Sequence, residues 1–254
     1  MHVETFGARD GHPLLLLHGG GVAGWMWEPL RTHLGEGVRV IVPDLPGHGR
    51  SADETYVSHA ATTAALARVL EQEGRAATVV GFSLGAQLTV QLAALHPDRV
   101  RNAVVISAQA VPMRATRPTL ALLSATAGLA KREWFARVQA RQLFVPDELL
   151  DDYLQASGTI SRETLLRSVE ENLRFAPPDT WRSYPGAASI LVGAKERSLM
   201  KRSAALLHAS LPHSDLEVVD GCGHGIPLQR PAWLARHIAA TFGDGPDVAQ
   251  PPGH

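Results

Sequence analysis

A single cysteine, Cys222, occurs in 254 residues. No internal disulfide can form, and one thiol fits a reducing compartment, so a cytoplasmic protein is expected. Long apolar runs are missing too. The run at 14–17 is far too short to span a bilayer. The opening MHVETFGARDG has neither a basic start nor an extended apolar stretch, so no signal peptide and no membrane partner are expected. Neither sign of charge dominates: 24 Lys and Arg face 25 Asp and Glu, for a net charge of -1. Without a basic patch interleaved with aromatics, no nucleic-acid partner is expected. Histidine is plentiful at 12 residues. Yet no H-E-x-x-H, paired cysteines or acid-rich cluster gives those rings ligand spacing, so no metal is expected and most of them should lie at the surface.

What the chain does have is glycine placed around polar residues. The stretch VVGFSLGAQ, residues 79–87, sets Ser83 between Phe82 and Leu84 and brackets the trio with Gly81 and Gly85. The apolar run before it reads as a buried strand. Leu84, Leu88, Leu92 and Leu95 after it recur as one face of a helix. Ser83 therefore sits at the apex of a sharp turn, and a Cβ at 81 or 85 would collide as helix crowds strand. The hydroxyl projects at a helix N-terminus, where unpaired N–H groups point the same way. An ordinary turn with a serine for solubility would carry the same letters; strand before and helix after favour a nucleophile.

Short apolar runs alternate with helical patterns along most of the chain. Strands are expected at 2–6, 13–18, 38–42, 78–82, 103–106, 189–192 and 216–219, and helices at 58–73, 84–95, 199–211 and 232–242. The first two strands are joined by the turn GARDG. This alternation demands an α/β fold, with a mostly parallel central sheet and helices on both faces. Ligands of such sheets sit beyond the carboxyl ends of the strands. Five loops leave that rim: HGGG at 18–21, the Ser83 turn, the segment from Ser107, GAKE at 193–196 and GCGHG at 221–225.

Between 106 and 189 the alternation stops. Helical patterns at 120–131, 132–144, 147–157 and 161–175 fill an insertion too long for a simple crossover. Its roots lie on the same rim, so a lid is expected rather than mere decoration. The organisation read from the sequence is one core, residues 1–109 and 186–243, a helical cap at 110–185, and a loose Gly/Pro-rich tail at 244–254. Trp134, Phe135, Phe144 and Tyr153 of the cap either face a pocket or pack the cap against itself.

A serine hydroxyl needs a neighbouring base, and histidine is the natural one near neutral pH. His224 stands in a glycine-flanked loop on the expected rim. Glu196, in GAKE, is the carboxylate placed to hold the imidazole by its other nitrogen, although a surface glutamate opening a helix would read the same. The order Ser83, Glu196, His224 is the one this topology requires. The oxyanion of an attacked carbonyl needs fixed N–H donors, each contributing about 3 kcal/mol to barrier lowering. Gly20 and Leu84 are the expected pair, with Gly21 next after Gly20. The glycine loop is not a phosphate cradle, since no G-x-x-x-x-G-K-[ST] exists.

Together LLLLHGGG, VIVPDLPGHGRS, VVGFSLGA, HPDRV, ILVGAKE and GCGHGIPLQRP resemble the α/β-hydrolase family across nearly the whole chain. The resemblance implies a Ser–His–acid catalyst beneath a helical cap, with no cofactor. It makes Asp44 a turn-shaping residue, and His48 structural rather than pocket-lining. The family more often has aspartate where this chain has Glu196. Its other acid position, after the strand at 103–106, reads SAQAVP and offers none, while Asp220 lies too near His224 in sequence. Relatives that alkylate a carboxylate carry Asp at the elbow; serine instead favours acyl chemistry. The expected activity is a serine hydrolase that cleaves a carboxylic ester or related acyl bond of a small molecule through an acyl-enzyme. A lyase or C–C bond hydrolase using the same Ser/His pair is the alternative, and a ligand-binding receptor on this fold is a further one.

Overall fold

The structure, a computed structural model, describes residues 1–113, 116–126 and 132–242. Strand β1 is Val3–Phe6 and β2 is His12–Leu17, the latter with sequence HPLLLL. The four leucines at 14–17 are fully buried, as in a strand covered on both faces, and each burial contributes about 1.5–3 kcal/mol. Alternate residues feed opposite layers. Leu15, Leu17 and Val79 join one core cluster, while Leu14, Leu16 and Val80 join the other. Strands β3 (Val38–Pro43), β4 (Ala77–Phe82), β5 (Val100–Ile106), β6 (Ala187–Gly193) and β7 (Asp215–Val219) complete a seven-stranded sheet of order β1-β3-β2-β4-β5-β6-β7.

All pairings are parallel except β1 with β3, where Val3 lies opposite Pro43. The turn GARDG thus joins two strands that do not pair. β2 already has β3 on one edge and β4 on the other, so β1 takes the outer edge of β3. The chain leaves β2 for one side and returns on the other, which puts the topological switch point at the carboxyl ends of β2 and β4. HGGG and Ser83 stand there.

The helices beside the sheet have local causes. A 3₁₀ turn, Gly24–Trp27, runs into α1 (Glu28–Arg31), a short element without the length to show periodicity in the sequence. Helix α2 (His59–Glu73) starts where the Ser58 side chain accepts the Ala61 N–H, and stops at Gly74 with φ +68°. Helix α3 (Leu84–Leu95) follows Ser83. Its Leu84, Leu88 and Leu92 are buried as expected, but Leu95 is half exposed in the last turn. Helices α4 (Thr116–Thr126), α5 (Glu133–Gln142), α6 (Leu150–Thr159) and α7 (Arg162–Arg174) lie between β5 and β6. The expected end of the first at residue 131, and the tail at 244–254, fall outside the described residues. Then follow α8 (Ser198–Ser210), the short α9 (Ile226–Gln229) and α10 (Pro231–Ala240). Among the described residues no helix is long and apolar enough to cross a membrane.

A polar seam ties α7 to the nucleophile helix. Gln87, fully buried on α3, donates to the carbonyls of Gln109 and Asn172 at 2.7 and 3.2 Å and accepts the His59 Nε2–H at 2.8 Å. Glu171 of α7 accepts the His59 N–H at 2.6 Å, and buried Thr164 accepts from Tyr56 N–H at 3.3 Å. Replacing Gln87 with alanine removes all three bonds and leaves the buried His59 Nε2–H without its partner, while the Asn172 carbonyl keeps the Phe175 N–H. We expect a loss of roughly 2–4 kcal/mol, read as a Tm fall of roughly 5–10 °C by calorimetry.

The expectation that most histidines lie at the surface is corrected. Among the described ones only His33 and His213 are exposed, and His18, His48 and His59 are buried. Each of the three buried rings has hydrogen-bond partners that meet its desolvation cost.

Candidate active site

Ser83 has φ 53° and ψ -109°, a conformation that costs a non-glycine residue about 1–3 kcal/mol. Close packing enforces it. A Cβ on Gly81 would fall 2.2 Å from the Gly85 carbonyl oxygen, and one on Gly85 would fall 2.2 Å from that of Leu17. The Ser83 N–H is held by the Ile106 carbonyl at 2.9 Å. The side chain is thereby turned out of the sheet at the start of α3.

His224 follows β7 in a loop that reverses at Gly221, φ +76°. Its Nε2 lies 3.2 Å from Ser83 Oγ, and its Nδ1 lies 2.9 Å from Glu196 Oε2. One line of hydrogen bonds thus runs from hydroxyl to imidazole to carboxylate. The Phe82 ring flanks the imidazole at 5.0 Å. The Glu196 loop is pinned beneath it: Ala194 N–H donates to Val219 O at 3.0 Å and Lys195 N–H to Cys222 O at 2.9 Å.

Glu196 is not the exposed start of a helix. Only 2% of its side chain is accessible. Its Oε1 accepts the Ser107 hydroxyl at 2.5 Å and the Gly193 N–H at 3.1 Å. The extra methylene, relative to aspartate, lets the side chain fold back over its own loop and still reach His224. Burial pushes the carboxyl pKa up. The hydrogen bond and charge of His224, with the Ser107 and Gly193 donors, outweigh it and hold the group below the ordinary carboxylate value. Asp220, the other acid nearby in sequence, is exposed.

The glycine loop is organised by His18. Leu45 N–H donates to His18 Nε2 at 2.9 Å, so Nδ1 carries the proton and donates to the Gly19 carbonyl at 2.7 Å. In a trans peptide the C=O and N–H point oppositely, so fixing the Gly19 carbonyl turns the Gly20 N–H away from the buried ring. Gly20 is exposed and lies beside Leu84: a Cβ there would be 3.8 Å from the Leu84 side chain. The Leu84 N–H is among the first, unpaired donors of α3. Gly21 has φ +83° and faces open space.

Desolvation, then the neighbouring His48, lower the His18 pKa to about 3. The folded state therefore stays unprotonated at His18 while the unfolded chain takes up a proton from 6.5 downward. Stability from this group is complete above 6.5 and is lost as pH falls toward 3, by roughly 1.4 kcal/mol per pH unit. Urea unfolding between pH 7 and 4 should show the midpoint falling, and falling less in His18→Asn.

Asp44 shapes the adjoining turn, accepting Gly24 N–H at 2.7 Å and Arg50 N–H at 2.8 Å. His48 is 1% exposed, donates to the Pro46 carbonyl at 3.0 Å and packs on His18. Of the aromatics between β5 and β6, Trp134 is exposed and stacks edge-on with Phe135. Tyr153 is buried and meets Trp25. Phe144 lies over the His224 loop, within 3.0 Å of where Cβ atoms on Gly223 and Gly225 would stand. Among the described residues no group of three or more His, Cys, Asp or Glu is arranged to hold a metal. Two site residues, Ser107 and His18, escaped the sequence reading; position at a strand's carboxyl end was the available signal for both.

The sheet order, the elbow and the loop set define a hydrolase of the α/β type, and comparison with known proteins agrees. Residues 14–237 match the alpha/beta hydrolase family, and the chain belongs to that family of enzymes. It is 29% identical over 238 residues to a pimeloyl-acyl-carrier-protein methyl ester esterase of Aromatoleum aromaticum, covering 86% of this chain and 93% of that one. It is 30% identical over 266 residues to the lipase LipV of Mycobacterium tuberculosis, covering 96% and 98%. Among solved structures, a bromoperoxidase from Bacillus anthracis superposes with a TM-score of 0.83 at 20% identity over 95% of each chain, a likeness of fold.

Proposed function

We propose that this chain is a serine esterase in which Ser83 attacks a carboxylic ester, or a related acyl bond, of a small molecule. The hydrogen-bonded line from Ser83 Oγ through His224 to Glu196 carries this reading. His224 Nε2 takes the hydroxyl proton as the Oγ–carbon bond forms. Glu196 keeps the Nδ1 proton in place and stabilises the imidazolium. The N–H groups of Gly20 and Leu84 hold the developing oxyanion. His224 then hands its proton to the leaving alcohol, and Ser83 is left acylated. Water enters, gives a proton to the same Nε2 and attacks the acyl carbon; Nε2 returns that proton to Ser83 Oγ as the acyl–Oγ bond breaks, which frees the acid and restores the serine.

Two relatives named for ester hydrolysis support an ester over another acyl bond. Helices α4–α7 act as a cap that limits access to Ser83, with Phe144 resting on the loop that carries the base. A panel of p-nitrophenyl esters graded by acyl length tests the reading. The expected result is turnover with a burst of one p-nitrophenolate per chain for the slowest-deacylating ester. Absence of turnover across the panel, or turnover that survives loss of the Ser83 hydroxyl, would reject it.

A further inference from the structure

Ser107 has no part in the steps above, yet its surroundings are built around it. It follows β5, is 1% exposed, and has φ +56°, the left-handed region that side chains other than glycine avoid. Its N–H donates to the Leu191 carbonyl at 2.8 Å, which ties the turn after β5 to strand β6. Its hydroxyl reaches Glu196 Oε1 at 2.5 Å, the length of a hydrogen bond from O–H to an ionised carboxylate. An ionised carboxylate only accepts, so the serine proton points at Glu196.

A glutamate has one more rotatable bond than an aspartate, and a single anchor would let its carboxylate swivel. Gly193 N–H, at 3.1 Å, is one anchor. The serine hydroxyl is the second, arriving from a different strand. Both bind Oε1 and leave Oε2 to His224 Nδ1. We infer that Ser107 is a positioning residue: its hydroxyl locks the Glu196 carboxylate in the orientation that holds His224, which is how a glutamate serves where a shorter acid is usual. The inference rests on the Ser83–His224–Glu196 reading and acts through it.

The test is a double-mutant cycle on p-nitrophenyl acetate hydrolysis. Ser107→Ala is expected to lower kcat about tenfold with KM changed less than about twofold, because the lost bond is charge-assisted and remote from the ester. In a Glu196→Ala background the same substitution should cost nothing further, there being no carboxylate left to orient. Ser107→Gly separates positioning from folding. Glycine accepts φ +56° freely and so offsets part of the stability lost with the hydroxyl; this variant should be more stable than Ser107→Ala yet lose kcat as it does. Wild-type kcat in Ser107→Gly, or a tenfold loss that persists without Glu196, would overturn the inference. If Glu196→Ala itself retains full activity, the triad reading fails, and the role of Ser107 with it. If Glu196→Ala is crippled while both Ser107 variants are normal, only Ser107 is misassigned.

Discussion

Replacing Ser83 with alanine is expected to lower kcat for p-nitrophenyl esters by about 10⁶-fold, the scale on which a triad nucleophile acts. KM should change little, because helices α4–α7, the glycine loop and the α3 N-terminus remain. The fold should remain too. Alanine shares serine's cost at φ 53°, and the sites that force the turn are Gly81 and Gly85. The imidazole that loses its partner is partly open to water rather than sealed in the core. Thermal unfolding of the variant should therefore match the parent within about 1 kcal/mol. Residual rate reports the proposed oxyanion donors together with substrate binding.

Glu196→Gln carries the second largest effect, a loss of about 10³- to 10⁴-fold in kcat. The amide is nearly isosteric, and an amide at Oε2 either donates to Nδ1 or accepts from it weakly. Donation forces the proton onto Nε2, where it faces Ser83 Oγ at 3.2 Å and the ring ceases to be a base. Neither orientation supplies the negative charge that stabilises an imidazolium. Glu196→Asp separates charge from reach. It keeps the charge but withdraws the carboxylate from Ser107 or from His224, for an expected loss of about tenfold. Stability should respond as well. A carboxyl held below its ordinary 4.5 contributes stability that is present above that pH and lost as pH falls through the lower folded value. The stability difference between wild type and Glu196→Gln should thus shrink under acid, starting near 4.5, below the 6.5 at which the His18 contribution begins to fall.

How much of this was readable beforehand follows from how each residue is determined. Ser83 was legible because close packing of strand and helix leaves only glycine at 81 and 85, and that demand shows in the letters themselves. Glu196 and His224 were legible by position, since the sheet topology brings loops after β6 and β7 to one rim. Ser107 was not. Its role depends on a left-handed turn after β5 and on the reach of a side chain 89 residues away. His18 reads as the last residue of an apolar strand; only the Leu45 N–H arriving from the neighbouring loop fixes its tautomer. Leu95 has helical spacing with Leu88 and Leu92, but as the last residue of α3 it stands half exposed. The seam of His59, Gln87 and Glu171 joins three helices through polar groups that no periodicity in the sequence marks.

Labelling with a fluorophosphonate, followed by peptide mass spectrometry, bears most directly on the proposed nucleophile. One adduct per chain, on the peptide containing Ser83, with labelling slowed at least 10³-fold in His224→Ala, is the predicted result. An adduct confined to another residue, or complete labelling with undiminished ester turnover, would contradict it.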